Sequence, residues 1–179
     1  MRYLLFSSLF IALFFACTSS NNMVIGPKTN LISFWRTEIR DTIQKNEYRL
    51  IFSTPKTNIS SICIVKQSNG LWKGTIINEF GVKVFDFVST PQKCELMNVI
   101  SFLDKWYVKR VIASDIQFIM EIDNPKYEEG IKSVRVSAQD TLSVIYKNRK
   151  ELKRLPDGKI IYKNKKRAIN YTLIRIDYE

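Results

Sequence analysis

Ile59-Ser60-Ser61-Ile62-Cys63-Ile64-Val65-Lys66, Leu71-Trp72-Lys73-Gly74-Thr75-Ile76-Ile77-Asn78-Glu79-Phe80 and Val82-Lys83-Val84-Phe85-Asp86-Phe87-Val88 are three apolar runs, parted only by Gln67-Ser68-Asn69-Gly70 and by Gly81. Short runs rich in β-branched and aromatic residues, bounded by Ser, Asn and Gly, read as strands. Connections this short join antiparallel neighbours, so the three runs predict sequential hairpins. Upstream, Tyr48, Leu50 and Phe52 alternate with Arg49 and Ile51 and stop at Ser53-Thr54-Pro55. Ile32 to Arg40 reads as a strand before that, which makes Val82 to Val88 the fifth.

The period then changes. Leu96, Val99, Ile100 and Leu103 follow the i, i+3, i+4, i+7 spacing of one helix face, and Val108, Val111, Ile112 and Ile119 repeat it after a break near Asp104-Lys105. Asp123-Asn124-Pro125 closes the second helix, because the residue before proline avoids the helical region. Strands resume at Val134–Val136, Leu142–Tyr146, Ile160–Lys163 and Ile169–Tyr178, with Pro156-Asp157-Gly158 as a hairpin turn. Strands, two helices, then strands again describe an α+β domain over residues 31–179. Several strands carry large apolar groups on both faces, which something must cover. The expectation is a curved antiparallel sheet, a half-barrel, with the two helices packed on its concave face.

The N-terminus is of another kind. Met1-Arg2 is a basic start, Tyr3 to Phe15 is mostly apolar, and Ala16-Cys17 closes the run. It is shorter than the roughly 20 apolar residues that a bilayer-spanning helix needs, and it has the form of an export signal over residues 1–16. The segment resembles a bacterial lipoprotein signal in which Cys17 is acylated. Phe14 and Phe15 stand where the usual pattern has leucine and a small residue, so the match is the relaxed form. Residues 17–30, polar and containing Gly26-Pro27, read as a tether.

Lys and Arg exceed Asp and Glu by 28 to 17, a formal charge of +11. In an exported, membrane-tethered protein that excess points to anionic head groups, not to nucleic acid. Histidine is absent, which removes Ser-His-Asp and Cys-His catalysis and the usual zinc sites. Cys63 and Cys94 read as buried thiols, with a disulfide as the open alternative.

No catalytic, metal or cofactor site emerges. An oxygen-rich stretch, Glu121 to Glu129, lacks the alternating ligands of a calcium loop and reads as solvated. Asp86, on the face of Val84 and Val88, reads as a paired structural carboxylate. Two binding features remain. Phe52, Trp72, Phe85, Phe87, Ile100 and Leu103 are the candidate apolar lining of the concavity. Lys147 to Arg167 holds ten Lys or Arg against Glu151 and Asp157, and within it Lys163, Lys165, Lys166 and Arg167 are the candidate membrane-contact cluster.

Hairpins, a two-helix insert and further hairpins behind a lipoprotein signal resemble the half-barrel of the lipoprotein carrier LolA and its outer-membrane acceptor LolB. The stretch Ile62 to Lys66, the Phe80-Gly81 turn, Phe85-Asp86-Phe87 and the Leu103-Asp104-Lys105 join also resemble small Bacteroidetes lipoproteins of unknown function. The resemblance implies an acyl-binding concavity and no catalytic residue. The expected function is a lipid-anchored, non-enzymatic envelope protein, at the outer membrane and facing the periplasm. It would bind lipid or an acylated lipoprotein ligand in outer-membrane trafficking. The alternative is a scaffolding lipoprotein that acts through protein–protein contacts.

Overall fold

Asn69 and Gly70 have φ of 50° and 72°, the left-handed pair that a two-residue type I′ hairpin requires. Glycine takes that φ without steric cost and asparagine at little, so the turn is written in the residues themselves. It joins β2 (Asn58–Ser68) to β3 (Leu71–Asn78) in a register that runs from Ser68↔Leu71 to Ser61↔Asn78. The computed structural model describes residues 44–137 and 140–177. The segment expected to be an export signal, Cys17, the expected tether and the strand expected over Ile32 to Arg40 lie outside the described residues.

Before this hairpin comes β1 (Gln44–Ser53), and after it β4 (Lys83–Ser89) and β5 (Cys94–Met97). A short 3-10 turn, Ser101–Leu103, leads into α1 (Trp106–Met120), and a second 3-10 segment, Pro125–Gly130, follows it. The chain ends in β6 (Ile131–Val136), β7 (Leu142–Tyr146), β8 (Lys150–Arg154), β9 (Ile160–Asn164) and β10 (Ile169–Arg175). All pairings are antiparallel, in the order β5-β4-β3-β2-β1-β10-β9-β8-β7-β6. The sheet is open: β5 and β6 are its two edges. The connection between them crosses the whole face, and α1 lies in that crossing.

The sheet must curl to meet α1. β4 and β8 are six strand spacings apart in the order, which in a flat sheet would be about 29 Å. Yet residues one helical turn apart reach both sides. Lys150 of β8 donates to the Ser114 carbonyl at 3.2 Å, and Gln117 donates to the carbonyl of Thr90, next after β4, at 2.9 Å. The fold is therefore α+β, a curved antiparallel sheet with helical segments after β5 packed on its concave face, as the hydrophobic pattern predicts.

Alternation selects the buried face. Leu50, Cys63, Val65, Ile76, Phe85, Phe87, Val144, Leu152, Tyr171 and Leu173 point into the core, and α1 contributes Val111, Ile112, Ile116, Phe118 and Ile119. Phe118 is 0% exposed and its ring meets Tyr127, Tyr146 and Tyr162 at centroid distances of 5.2, 5.3 and 5.7 Å. Gly74 has a different role from Gly70. A Cβ on it would clash with the ring of Phe87, its cross-strand partner.

The first helical segment is shorter than its spacing predicts. Leu96 belongs to β5 and pairs with Phe87; Asn98, at φ 51°, ends the strand; only Ser101–Leu103 is helical. An unpaired edge of β4 offers ladder bonds at once, whereas so short a helix would have to bear the nucleation cost with little propagation. α1 also ends at Met120, before Asn124-Pro125.

Cys63 and Cys94 are free thiols on β2 and β5. Two strands separate them, so they stand about 14 Å apart in sheet spacings, beyond the roughly 7 Å a disulfide can bridge. Burial pushes both thiols up to about 12. Native protein at pH 7.5 is expected to leave both unalkylated by iodoacetamide over an hour, and unfolding in urea to expose both. Peptide mass spectrometry reads each site; rapid native labelling of Cys63 would contradict this packing.

Candidate functional site

α1 carries its apolar stripe against the sheet, and Asp115 sits within that stripe at 1% exposure. β9 sets the matching polar groups opposite, because Tyr162 and Asn164 are two apart and share the inward face. The Tyr162 hydroxyl donates to Asp115 Oδ1, and the Asn164 amide donates to both carboxylate oxygens at 3.0 and 3.2 Å. Lys150, inward-facing on β8, brings its ammonium to 3.3 Å from Asp115 Oδ1 and donates to the Ser114 carbonyl and hydroxyl, both at 3.2 Å. Burial pushes the Lys150 ammonium below its ordinary value, Asp115 pulls it back, and Arg167 pushes it further down. Burial and the adjacent Asp115 raise the Tyr162 hydroxyl far above its ordinary value. It stays protonated and serves as a donor.

Above this floor opens a cleft of about 260 Å³. Arg110, Val111, Ser114 and Asp115 of α1 form one wall; Tyr146, Lys147, Arg149 and Lys150 around the β7–β8 turn form the second. Asn164, Lys166 and Arg167 at the β9–β10 turn complete it. The two turns are tied together, since the Lys165 amide donates to the Arg149 carbonyl at 2.7 Å.

The expected basic cluster therefore divides. Lys166 and Arg167 line the cleft. Lys165 reaches Glu151 at 3.2 Å, on the outward side of β8, and Lys163 is the cross-strand partner of Glu151 on that same outer face. The division follows from strand parity: Tyr162 and Asn164 point in, so Lys163 points out.

The expected apolar lining lies in and around the core. Phe85 and Phe87 are buried, at 6% and 1% exposure; Phe52, Trp72 and Leu103 are half-buried against the core. Phe52 meets Tyr171 edge-on at 5.3 Å. Ile100 is half-buried just before the 3-10 turn and donates its amide to the Val84 carbonyl at 2.9 Å. Asp86 is clamped by Thr75 and Asn98 at 2.7 Å each and by Lys83 at 3.1 Å. The hydrogen bond from Asn98, partly opposed by desolvation and seconded by Thr75 and Lys83, holds its carboxyl below the usual carboxylate range.

No protein-family model matches the chain, and no curated protein sequence does. Among solved structures it is similar to the crystal structure of MucB, at a TM-score of 0.40 and 11% identity, over 84% of this chain and 58% of that one. The chain thus spans less than two thirds of MucB's length.

A third feature escaped the hydrophobic pattern. Phe102, Trp106 and Tyr107 are 62%, 72% and 50% exposed at the start of α1, with the rings of Trp106 and Tyr107 edge to face at 6.0 Å. Their signal in the sequence is composition: aromatics that fall off the apolar stripe, next to Lys105, Lys109 and Arg110. Among the described residues no helix is long and apolar enough to cross a membrane.

Proposed function

We propose that this protein is a non-enzymatic cell-envelope module, held by a lipid on Cys17, that docks on anionic lipid through the aromatic surface at the start of α1. The observation that carries the reading is the exposure of Phe102, Trp106 and Tyr107 beside Lys105, Lys109 and Arg110. Indole and phenol rings pair an apolar body with a polar handle and favour the bilayer interface. Lys109 is paired with Asp104, and each of the other two cations, Lys105 and Arg110, adds about 1 kcal/mol at an anionic surface. This moves the lipid contact from the concavity to the rim, because Phe118 and the tyrosines around it occupy the space under α1. That packed interior also favours the scaffolding alternative.

Vesicle flotation separates the two readings. An anchor-free chain beginning at Thr18 is expected to float with phosphatidylglycerol-rich vesicles. Trp106→Glu is expected to weaken binding roughly 30-fold, the loss of about 2 kcal/mol of ring burial. Equal binding by parent and variant would sink docking at this surface. No flotation of either would leave the scaffold.

A further inference from the structure

We propose that the cleft between α1 and the β7–β8 and β9–β10 turns is a binding site for a phosphate group, whether on a small soluble molecule or on a lipid headgroup. Six cations face this one space, Arg110, Lys147, Arg149, Lys150, Lys166 and Arg167, against the single carboxylate of Asp115. That carboxylate is engaged below the cleft by Tyr162, Asn164 and Lys150. Among the described residues, the other five cations form no ion pair.

Three of the five basic-block cations outside the cleft are paired. Lys153 and Lys165 share Glu151, at 3.5 and 3.2 Å, and Arg154 meets Asp123 at 3.1 Å. Lys153, Arg154 and Lys165 outside the cleft thus meet carboxylates, whereas of the six cations inside it only Lys150 does, on Asp115. Like charges gathered in a partly enclosed space repel, and an anion entering it removes that repulsion and gains their combined field.

The chemistry selects phosphate over a carboxylate. Three of the cations are guanidiniums, from α1, the β7–β8 turn and the β9–β10 turn, and guanidinium forks match phosphate oxygens two at a time. A phosphate monoester brings up to two charges and three acceptor oxygens to such a set. The volume, about 260 Å³, is below that of pockets for drug-sized ligands and suits a phosphate with few attached atoms. Backbone bonds hold the two turns in place, from the Lys165 amide to the Arg149 carbonyl and from the Arg149 amide to the Tyr146 carbonyl at 3.0 Å, so the ordering left to binding is that of the side chains.

The site goes beyond lipid docking, since a soluble phosphate needs no aromatic surface. Arg110 does lie one turn after Trp106, which places a docked headgroup within reach of the cleft.

The test is titration calorimetry on the full-length protein in neutral detergent. The ligands are inorganic phosphate, glycerol 3-phosphate and dihexanoyl phosphatidic acid below its micelle concentration. Binding is expected to weaken at least tenfold in the double variant Arg149→Ser/Arg167→Ser and in Arg110→Ser, which changes a different element. It is expected to stay unchanged in Lys163→Ser/Lys165→Ser, which removes the same charge from the outer face. Binding of glycerol 3-phosphate assigns the site to the phosphate itself; binding of phosphatidic acid alone assigns it to a lipid headgroup. No binding of any ligand at millimolar concentration overturns the proposal, and so does equal weakening by the inner and outer double variants.

Discussion

Asp115→Ala is expected to cost about 3–5 kcal/mol of unfolding free energy, the usual penalty for breaking a buried ion pair from one side. The carboxylate is 1% exposed and satisfies three partners at once: the Tyr162 hydroxyl, the Asn164 amide and the Lys150 ammonium. Alanine leaves all three without their acceptor under α1. Lys150 has some recourse, since its ammonium also lies 5.0 Å over the Phe118 ring and bonds Ser114. Tyr162, at 0% exposure, has none of that freedom. Asp115→Asn keeps an oxygen for Tyr162 but removes the charge, so a smaller loss, about 1–3 kcal/mol, is expected. Since domains of this size are stable by only about 5–15 kcal/mol, urea unfolding at constant m-value resolves both. Losses below about 0.5 kcal/mol in both variants would mean that water replaces the carboxylate, and the polar floor of the cleft would not be a structural unit.

The second large effect pairs Gly74 with Phe87. Phe87→Ala removes a ring that is 1% exposed, and a loss of about 3–5 kcal/mol is expected from transfer and cavity terms together. Gly74→Ala places a methyl in the space of that ring, and overpacking of this kind costs about 1–3 kcal/mol. The two are not additive. With the ring gone the new methyl loses its two closest clashes and keeps only the one with the Ile64 carbonyl at 2.9 Å, so the double variant is expected to be less destabilised than the sum by about 1 kcal/mol or more. Simple additivity would show that the ring does not lie over Gly74. The single Phe87 variant also speaks to ligand lining: a core residue lowers stability, whereas a lining residue lowers binding in a protein that remains equally stable.

Much of the sheet was legible because its signals are local. Asn69-Gly70 specifies its turn by φ alone, and Leu142 to Tyr146 is the strand that its composition predicts. Two strands were not legible. β8 reads Lys-Glu-Leu-Lys-Arg, and its one apolar residue, Leu152, is 1% exposed; it is a strand because β7 and β9 pair with it on both sides. β5 has helical spacing but takes the open edge of β4. In both, ladder bonds to the neighbouring strands override local pattern.

The candidate sites divide the same way. Sequence alone determined which residues alternate inward, with Tyr48, Leu50 and Phe52 on one face and Phe85 and Phe87 on the other strand's matching face. It also determined an excess of 11 positive charges and the absence of histidine. It could not say where those charges meet. Arg110, Arg149 and Arg167 are far apart along the chain, and Lys163 and Lys165 are nearer to Arg167 in sequence than either of the other arginines. Tertiary structure decided the grouping: a helix crossing a curled sheet brings Arg110 to two tied turns, while strand parity turns Lys163 to the opposite face. Charges act through distance in space, and only the curled sheet sets that distance.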